Sequence, residues 1–203
     1  MTLYDIKPYF QALLRPLARW AYERGATANA VTLAAAAGSL LLGFLLALAG
    51  GEHSSLFALL PVWLLLRMAL NAMDGMLARE HDQQSVLGAY LNELCDVISD
   101  AALILPFAYA PRASAAQIVV ITVLAGCSEF AGALGPMVGA PRRYDGPLGK
   151  SDRALLFGAL GLWLGMTGEL PSFFSWAQPA IIALLILTIV NRVRAGMASA
   201  KAS

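Results

Sequence analysis

Long apolar runs broken by short polar connections dominate the chain. Six of them are candidate spans, at 29–50, 56–73, 87–110, 115–139, 154–168 and 173–190. A bilayer crossing takes about 20 mostly apolar residues, so the pattern predicts six crossings joined by short loops. Before the first run the pattern changes. Leu3, Ile6, Phe10, Leu13, Leu17 and Trp20 recur at spacings of three or four, with Lys7, Arg15, Arg19 and Glu23 off that stripe. This spacing predicts an amphipathic helix lying on the membrane surface. Pro8 fits a first turn, and Pro16 is expected to kink or split the helix. The expected fold is all-α and membrane-integral: six transmembrane helices preceded by an N-terminal interfacial helix. One domain fills 1–203, with the interfacial helix at 1–26, the bundle at 27–191 and a cytoplasmic tail at 192–203.

Composition agrees with the pattern. Of 203 residues 59% are apolar and only 13% charged, far from a soluble domain. A net charge of +1 argues against a nucleic-acid partner. Cys95 and Cys127 both lie in apolar runs, which leaves no disulfide framework. The basic residues orient the bundle. Thirteen of fourteen Lys and Arg fall on one side and only Arg112 on the other, which places both termini in the cytoplasm. Gly135/Gly139 and Gly161/Gly165 form GxxxG pairs, and Ser39/Gly43 a weaker one. These read as close helix packing, within one chain or between two.

Charged side chains inside a bilayer cost about 2.5–3.5 kcal/mol each on insertion scales. Here they concentrate in the second and third runs and their junction: Arg67, Asn71, Asp74, Arg79, Asn92, Glu93, Asp96 and Asp100, with Glu129 in the fourth. Asn92, Asp96 and Asp100 are spaced i, i+4, i+8 and share a helix face with Gly88. Asn71 and Asp74 are i, i+3 on the preceding run. The short connection predicts that the two helices are antiparallel and adjacent, so that their polar faces meet at the cytoplasmic end. Converging oxygen donors suit a hard cation, Mg2+ or Mn2+. His81 and Cys95 stand off this face, which argues against zinc.

The spacing Asn71-x-x-Asp74-Gly75-x-x-Ala78-Arg79-x8-Gly88-x3-Asn92-x3-Asp96 resembles the signature of the CDP-alcohol phosphotransferase family, which reads D-x-x-D-G-x-x-A-R-x8-G-x3-D-x3-D. The stretch Thr27–Thr32 is similar to the family's Pro-Asn-x-Leu-Thr, without its Pro. The resemblance implies an enzyme of phospholipid biosynthesis. It would transfer a substituted phosphate from a CDP-linked lipid, CDP-diacylglycerol, to a small alcohol acceptor and release CMP. It implies one or two divalent metals held over the pyrophosphate, Asp96 as the base, a homodimer, and a cytoplasmic active site in a bacterial inner membrane. Asn29, Gly75, Ala78, Arg79 and Gly88 would contact the CDP moiety.

Two positions depart from the signature. Asn71 and Asn92 stand where it has Asp, keeping an oxygen but losing the charge. Asp100, or less readily Glu93, could supply a replacement carboxylate in a rearranged or single-metal site. The alternatives are a CDP-lipid-binding protein with impaired chemistry and, as a minor reading, a cation transporter. Arg142, Arg143, Lys150 and Arg153, between the fourth and fifth runs, could hold a phosphate on the acceptor. They could equally be topogenic charge in contact with membrane lipids. Glu129 is expected to orient Arg67 or to pair within the bundle.

Overall fold

A computed structural model describes residues 3–49 and 53–200, with side chains from Tyr9 onward. Leu3 and Ile6 of the amphipathic stripe, with Lys7, Pro8, Gly50 and Lys201, lie outside the side chains so described. Among the described residues the chain forms seven α-helices and no strand: α1 (Leu3–Glu23), α2 (Ala28–Ala49), α3 (Leu60–Glu80), α4 (Val86–Ile104), α5 (Ala115–Ala133), α6 (Lys150–Thr167) and α7 (Phe174–Ala200).

Four segments are long and apolar enough to cross a membrane: Ala28–Ala49, Ser54–Glu80, Ala115–Ala133 and Phe174–Ala200. The other two long helices are interrupted by charge. Glu93, Asp96 and Asp100 lie in α4, and Lys150, Asp152 and Arg153 in α6. Asp96, Asp100, Lys150 and Arg153 meet partners on other helices, Glu93 meets Arg142 of the α5–α6 connection, and Asp152 caps its own helix.

The helix ends differ from the hydrophobic runs, for local reasons. A 3-10 turn over Ser54–Leu59 precedes α3, with Pro61 early in the helix, where a missing N–H costs nothing. Pro106 ends α4 in a second such turn, and Gly139, at φ 78°, closes a third after α5. The helix α6 begins at Lys150, ahead of the apolar run, because Asp152 Oδ2 accepts from the Gly149 N–H at 2.9 Å. The last helix continues past Val190 to Ala200. Pro16 does not split α1. The helix is unbroken, and Pro16 lies on its exposed side, where the lost hydrogen bond faces outward.

The apolar core gathers Leu46, Phe57, Leu60, Leu64, Leu103, Ile104, Phe107, Ile121, Phe157, Leu164 and Leu185. Phe107 stacks edge-on to both Phe57 and Phe157. Ser39/Gly43 and Gly161/Gly165 pack within this chain, whereas Gly135/Gly139 falls in the 3-10 turn after α5, where a Cβ at Gly139 would meet nothing within 4 Å. Ser39 Oγ accepts from Trp63 Nε1 at 3.0 Å. Gly165 lies so close to the turn before α3 that a Cβ there would meet Ala58 N at 2.4 Å. A second, smaller cluster seats α1 through Ala18 and Ala21 beside Met73 and Met76.

One expectation is corrected. The helices α3 and α4 are sequential but do not form a closely packed pair. Each packs chiefly on α2. The space left between them is crossed by long polar side chains, and that cleft is the candidate site.

Candidate active site

Two helix starts and one helix end meet at the mouth of the cleft. Thr27 caps α2, its Oγ1 accepting from Ala30 N at 3.2 Å. Ser85 caps α4, accepting from Gly88 N at 2.9 Å. Gln83, in the α3–α4 connection, ties them together. Its Oε1 accepts from Ala28 N at 2.7 Å. Asn29 then rests against Gly88, where a Cβ would come within 2.7 Å of Asn29 Oδ1. Any residue larger than glycine would displace the Asn29 side chain there. Arg79, exposed at the end of α3, folds back over Gly75 (Nη2 3.1 Å from a Cβ position there). Ala78, half-buried, accepts from Gln83 N through its carbonyl.

Deeper in, α3 and α4 meet through side chains. Asp74 is buried and its Oδ2 accepts from Thr32 Oγ1 at 2.8 Å. Asn71 Nδ2 donates to Asp96 Oδ1 at 3.2 Å. Lys150 Nζ, from the first turn of α6, stands 2.5 Å from the same oxygen. Arg67 Nη2 donates to the Asp96 carbonyl at 3.1 Å and approaches Oδ1 at 3.4 Å. Every partner of the Asp96 carboxylate thus sits on Oδ1. Asn92 lies one turn before Asp96 on the same face, half-buried. The two Asp and two Asn side chains supply only oxygen ligands, which fits a hard divalent cation. Among the described residues no three His, Cys, Asp or Glu converge as a metal-holding group.

Asp100 is placed differently from the other acids. Its Oδ1 is 2.6 Å from Arg67 Nη1 and its Oδ2 is 2.8 Å from Arg153 Nη2. Both oxygens are therefore engaged by guanidinium groups. Glu93 is likewise paired, with Arg142. Behind them lies a buried network. Arg153 is 2% exposed and also reaches Glu129 Oε1 at 2.9 Å and Ser128 Oγ at 3.2 Å. Arg192 meets Glu129 Oε1 at 3.3 Å and donates to the Ser128 carbonyl. Arg142 Nη2 lies 3.5 Å from Glu129 Oε2. Glu129 therefore pairs within the bundle, with three arginines and not with Arg67.

Of the four basic residues in the α5–α6 region, Lys150 alone reaches Asp96. Arg143 forks onto Asp145, at 2.9 and 3.0 Å, and donates to Ser199 at 3.2 Å. This hydrogen bonding holds the Asp145 carboxyl below its ordinary pKa. Sequence reasoning gave no role to Arg192, Ser128 or Thr32. Arg67 was legible, one turn before Asn71 on the same face. Arg192 offers no such signal, because its partners are 63 and 64 residues away.

The comparisons with known proteins bear on the family and the fold. The chain is 50% identical over 197 residues to the inner membrane protein YnbA of Escherichia coli strain K12, covering 96% of each. It is 30% identical over 201 residues to the phosphatidylinositol phosphate synthase of Corynebacterium glutamicum, covering 95% of this chain and 87% of that one. Its fold matches that of the Mycobacterium tuberculosis phosphatidylinositol phosphate synthase PgsA1 with CDP-DAG bound. That match has a TM-score of 0.75 at 19% identity over 93% and 95% of the two chains. The same enzyme in complex with manganese and citrate gives 0.74 at 20% identity over 92% and 90%. With residues 26–190 also matching the model of the CDP-alcohol phosphatidyltransferase family, the chain belongs to that family of membrane transferases in phospholipid biosynthesis.

Proposed function

We propose that the enzyme transfers a phosphatidyl group from CDP-diacylglycerol to the hydroxyl of a small alcohol and releases CMP. The observation that carries this reading is the α3–α4 cleft, on which Asn71, Asp74, Gly75, Arg79, Gly88 and Asp96 of the motif converge. The CDP-DAG bound in PgsA1 supports the donor assignment. The CDP moiety enters beside Asn29, which rests on Gly88, with Ala78 and Gly75 lining the approach and Arg79 offering a fork to its phosphates. Asp74, Asp96, Asn71 and Asn92 hold Mg2+ or Mn2+, which neutralises the pyrophosphate and keeps it in line. Asp100 stays with Arg67 and Arg153 and fixes the frame.

Asp96 is the base. Its Oδ2 takes the acceptor proton as the acceptor oxygen bonds the lipid-bearing phosphorus and the bond to CMP breaks. Arg142, Arg143 and Lys150, partly exposed, meet a charged group on the acceptor, while buried Arg153 holds the wall behind them. All six helices α2–α7 cross the bilayer of a bacterial inner membrane, as a homodimer, with termini and cleft on the cytoplasmic side.

The test is CMP release by purified protein from CDP-diacylglycerol with Mg2+ or Mn2+. The acceptor panel would hold glycerol phosphate, inositol phosphate, serine, glycerol and a bacterial polar extract. Release should require metal and fall by about 10²–10⁴ in Asp96→Ala. Asn71 and Asn92 support a second reading, in which the site binds a CDP-lipid but has lost its chemistry. Binding without release for any acceptor would establish it. The apolar core around Phe57, Phe107 and Phe157 weighs against a cation path through the bundle. Metal flux in proteoliposomes would reverse that.

A further inference from the structure

The charge of the cleft bears on how many metal ions it holds, a question that rests on the transferase reading above. Arg67, Arg142, Arg153 and Arg192 pair with Glu93, Asp100 and Glu129 behind the cleft and leave one net positive charge there. What remains around the cleft is Asp74 and Asp96, both negative, and Lys150, positive, for a net charge of minus one. Asn71 and Asn92 add oxygens without charge, and Asn71 already spends its amide NH2 on Asp96. One divalent cation brings this set to plus one, which an anionic pyrophosphate absorbs. Two would bring it to plus three, with Arg79 at the mouth adding a further positive charge. Excess charge of that size in a half-buried site is costly.

Lys150 is also held in place. Arg153, next on the same turn, is locked between Asp100 and Glu129, and Asp152 caps the helix start. The ammonium is therefore presented to Asp96 Oδ1 by a fixed helix end and not by a free loop.

The geometry points to a one-metal transferase in which the Lys150 ammonium provides the second positive charge beside Asp96. This makes Lys150 a built-in cation, matched to the loss of charge at Asn71 and Asn92.

The experiment uses the full chain in nanodiscs containing CDP-diacylglycerol, with Mn2+ titrated and followed by electron paramagnetic resonance and elemental analysis. One Mn2+ per chain is expected, with a six-line spectrum free of Mn–Mn coupling. Lys150→Met should bind that Mn2+ about tenfold more tightly, since two such charges near 6 Å repel by this much even at the dielectric constant of water. It should also release CMP more slowly. Loss of a merely structural partner of Asp96 would also free a carboxylate oxygen, so the Mn2+ count on the natural enzyme decides and the affinity of the variant supports it. Adding Asn71→Asp and Asn92→Asp to Lys150→Met should admit a second, coupled Mn2+. Two ions per chain or a coupled spectrum in the natural enzyme overturns the inference, as does unchanged or weaker metal binding in Lys150→Met. The count on the natural enzyme stands whether or not the variants fold. Absence of CMP release from the metal-saturated natural enzyme would instead count against the transferase reading.

Discussion

At the scale of the residue, two carboxylates one turn apart on α4 have opposite duties. Asp96 keeps one oxygen open to the cleft, whereas Asp100 gives both oxygens to arginines. Asp100→Asn should therefore lower stability, by about 3–5 kcal/mol for a broken buried pair, and leave Mn2+ affinity within a few-fold. Thermal unfolding and metal titration on the same preparation check this, and a hundredfold loss of metal affinity would make Asp100 a ligand. Glu129, 4% exposed among three arginines, predicts a similar loss for Glu129→Gln. Helical spacing put Asp96 and Asp100 on one face; the motif singled out Asp96 as the base but left Asp100 open as a replacement ligand. Their difference comes from Arg67 and Arg153, 33 and 53 residues from Asp100. No helical period links such distances.

Among the elements, α1 is joined to the bundle by contacts of unequal worth. The Arg15–Glu80 fork is exposed, and such pairs contribute about 0–1 kcal/mol. Tyr22 stacks on His81 at 3.9 Å, and Ala18 and Ala21 pack beside Met73 and Met76. Leu13, Leu17 and Trp20 remain outward. A spin label at Leu17→Cys, in a cysteine-free background, should report headgroup depth, and a fully aqueous signal would remove α1 from the interface. The loop before α6 gives a pH prediction. Because Asp145 is depressed, its contribution is present above the ordinary carboxylate range and is lost as pH falls through the folded value, below about pH 4. The acid-induced drop in melting temperature should be smaller in Asp145→Asn than in the natural chain. Periodicity revealed that these helices exist. It misplaced their ends, because Pro61, Pro106, Gly139 and the Asp152 cap act locally and are blind to hydropathy.

For the whole molecule, the charged network is shared among apolar and charged helices. Four segments are long and apolar enough to cross a membrane, yet Arg67 and Asp74 on α3, Glu129 on α5 and Arg192 on α7 join the charges that α4 and α6 bring. Topology is tested by single cysteines at Gln83 and Gly168 after replacement of Cys95 and Cys127. An impermeant maleimide on intact cells should label the Gly168 site alone, and labelling of Gln83 would invert the bundle. The buried ion-pair network also bears on how the chain is made. Synthesis delivers α4 and α5 before α6, so Asp96 reaches the membrane without Lys150, Asp100 with Arg67 but not Arg153, and Glu129 without Arg153 and Arg192. Each uncompensated charge costs about 2.5–3.5 kcal/mol to insert. A nascent chain arrested before Lys150 should therefore leave α4 prone to slip back out of the bilayer. Biogenesis of this enzyme is completed from its C-terminal half, when two arginines arrive to neutralise acids already waiting there.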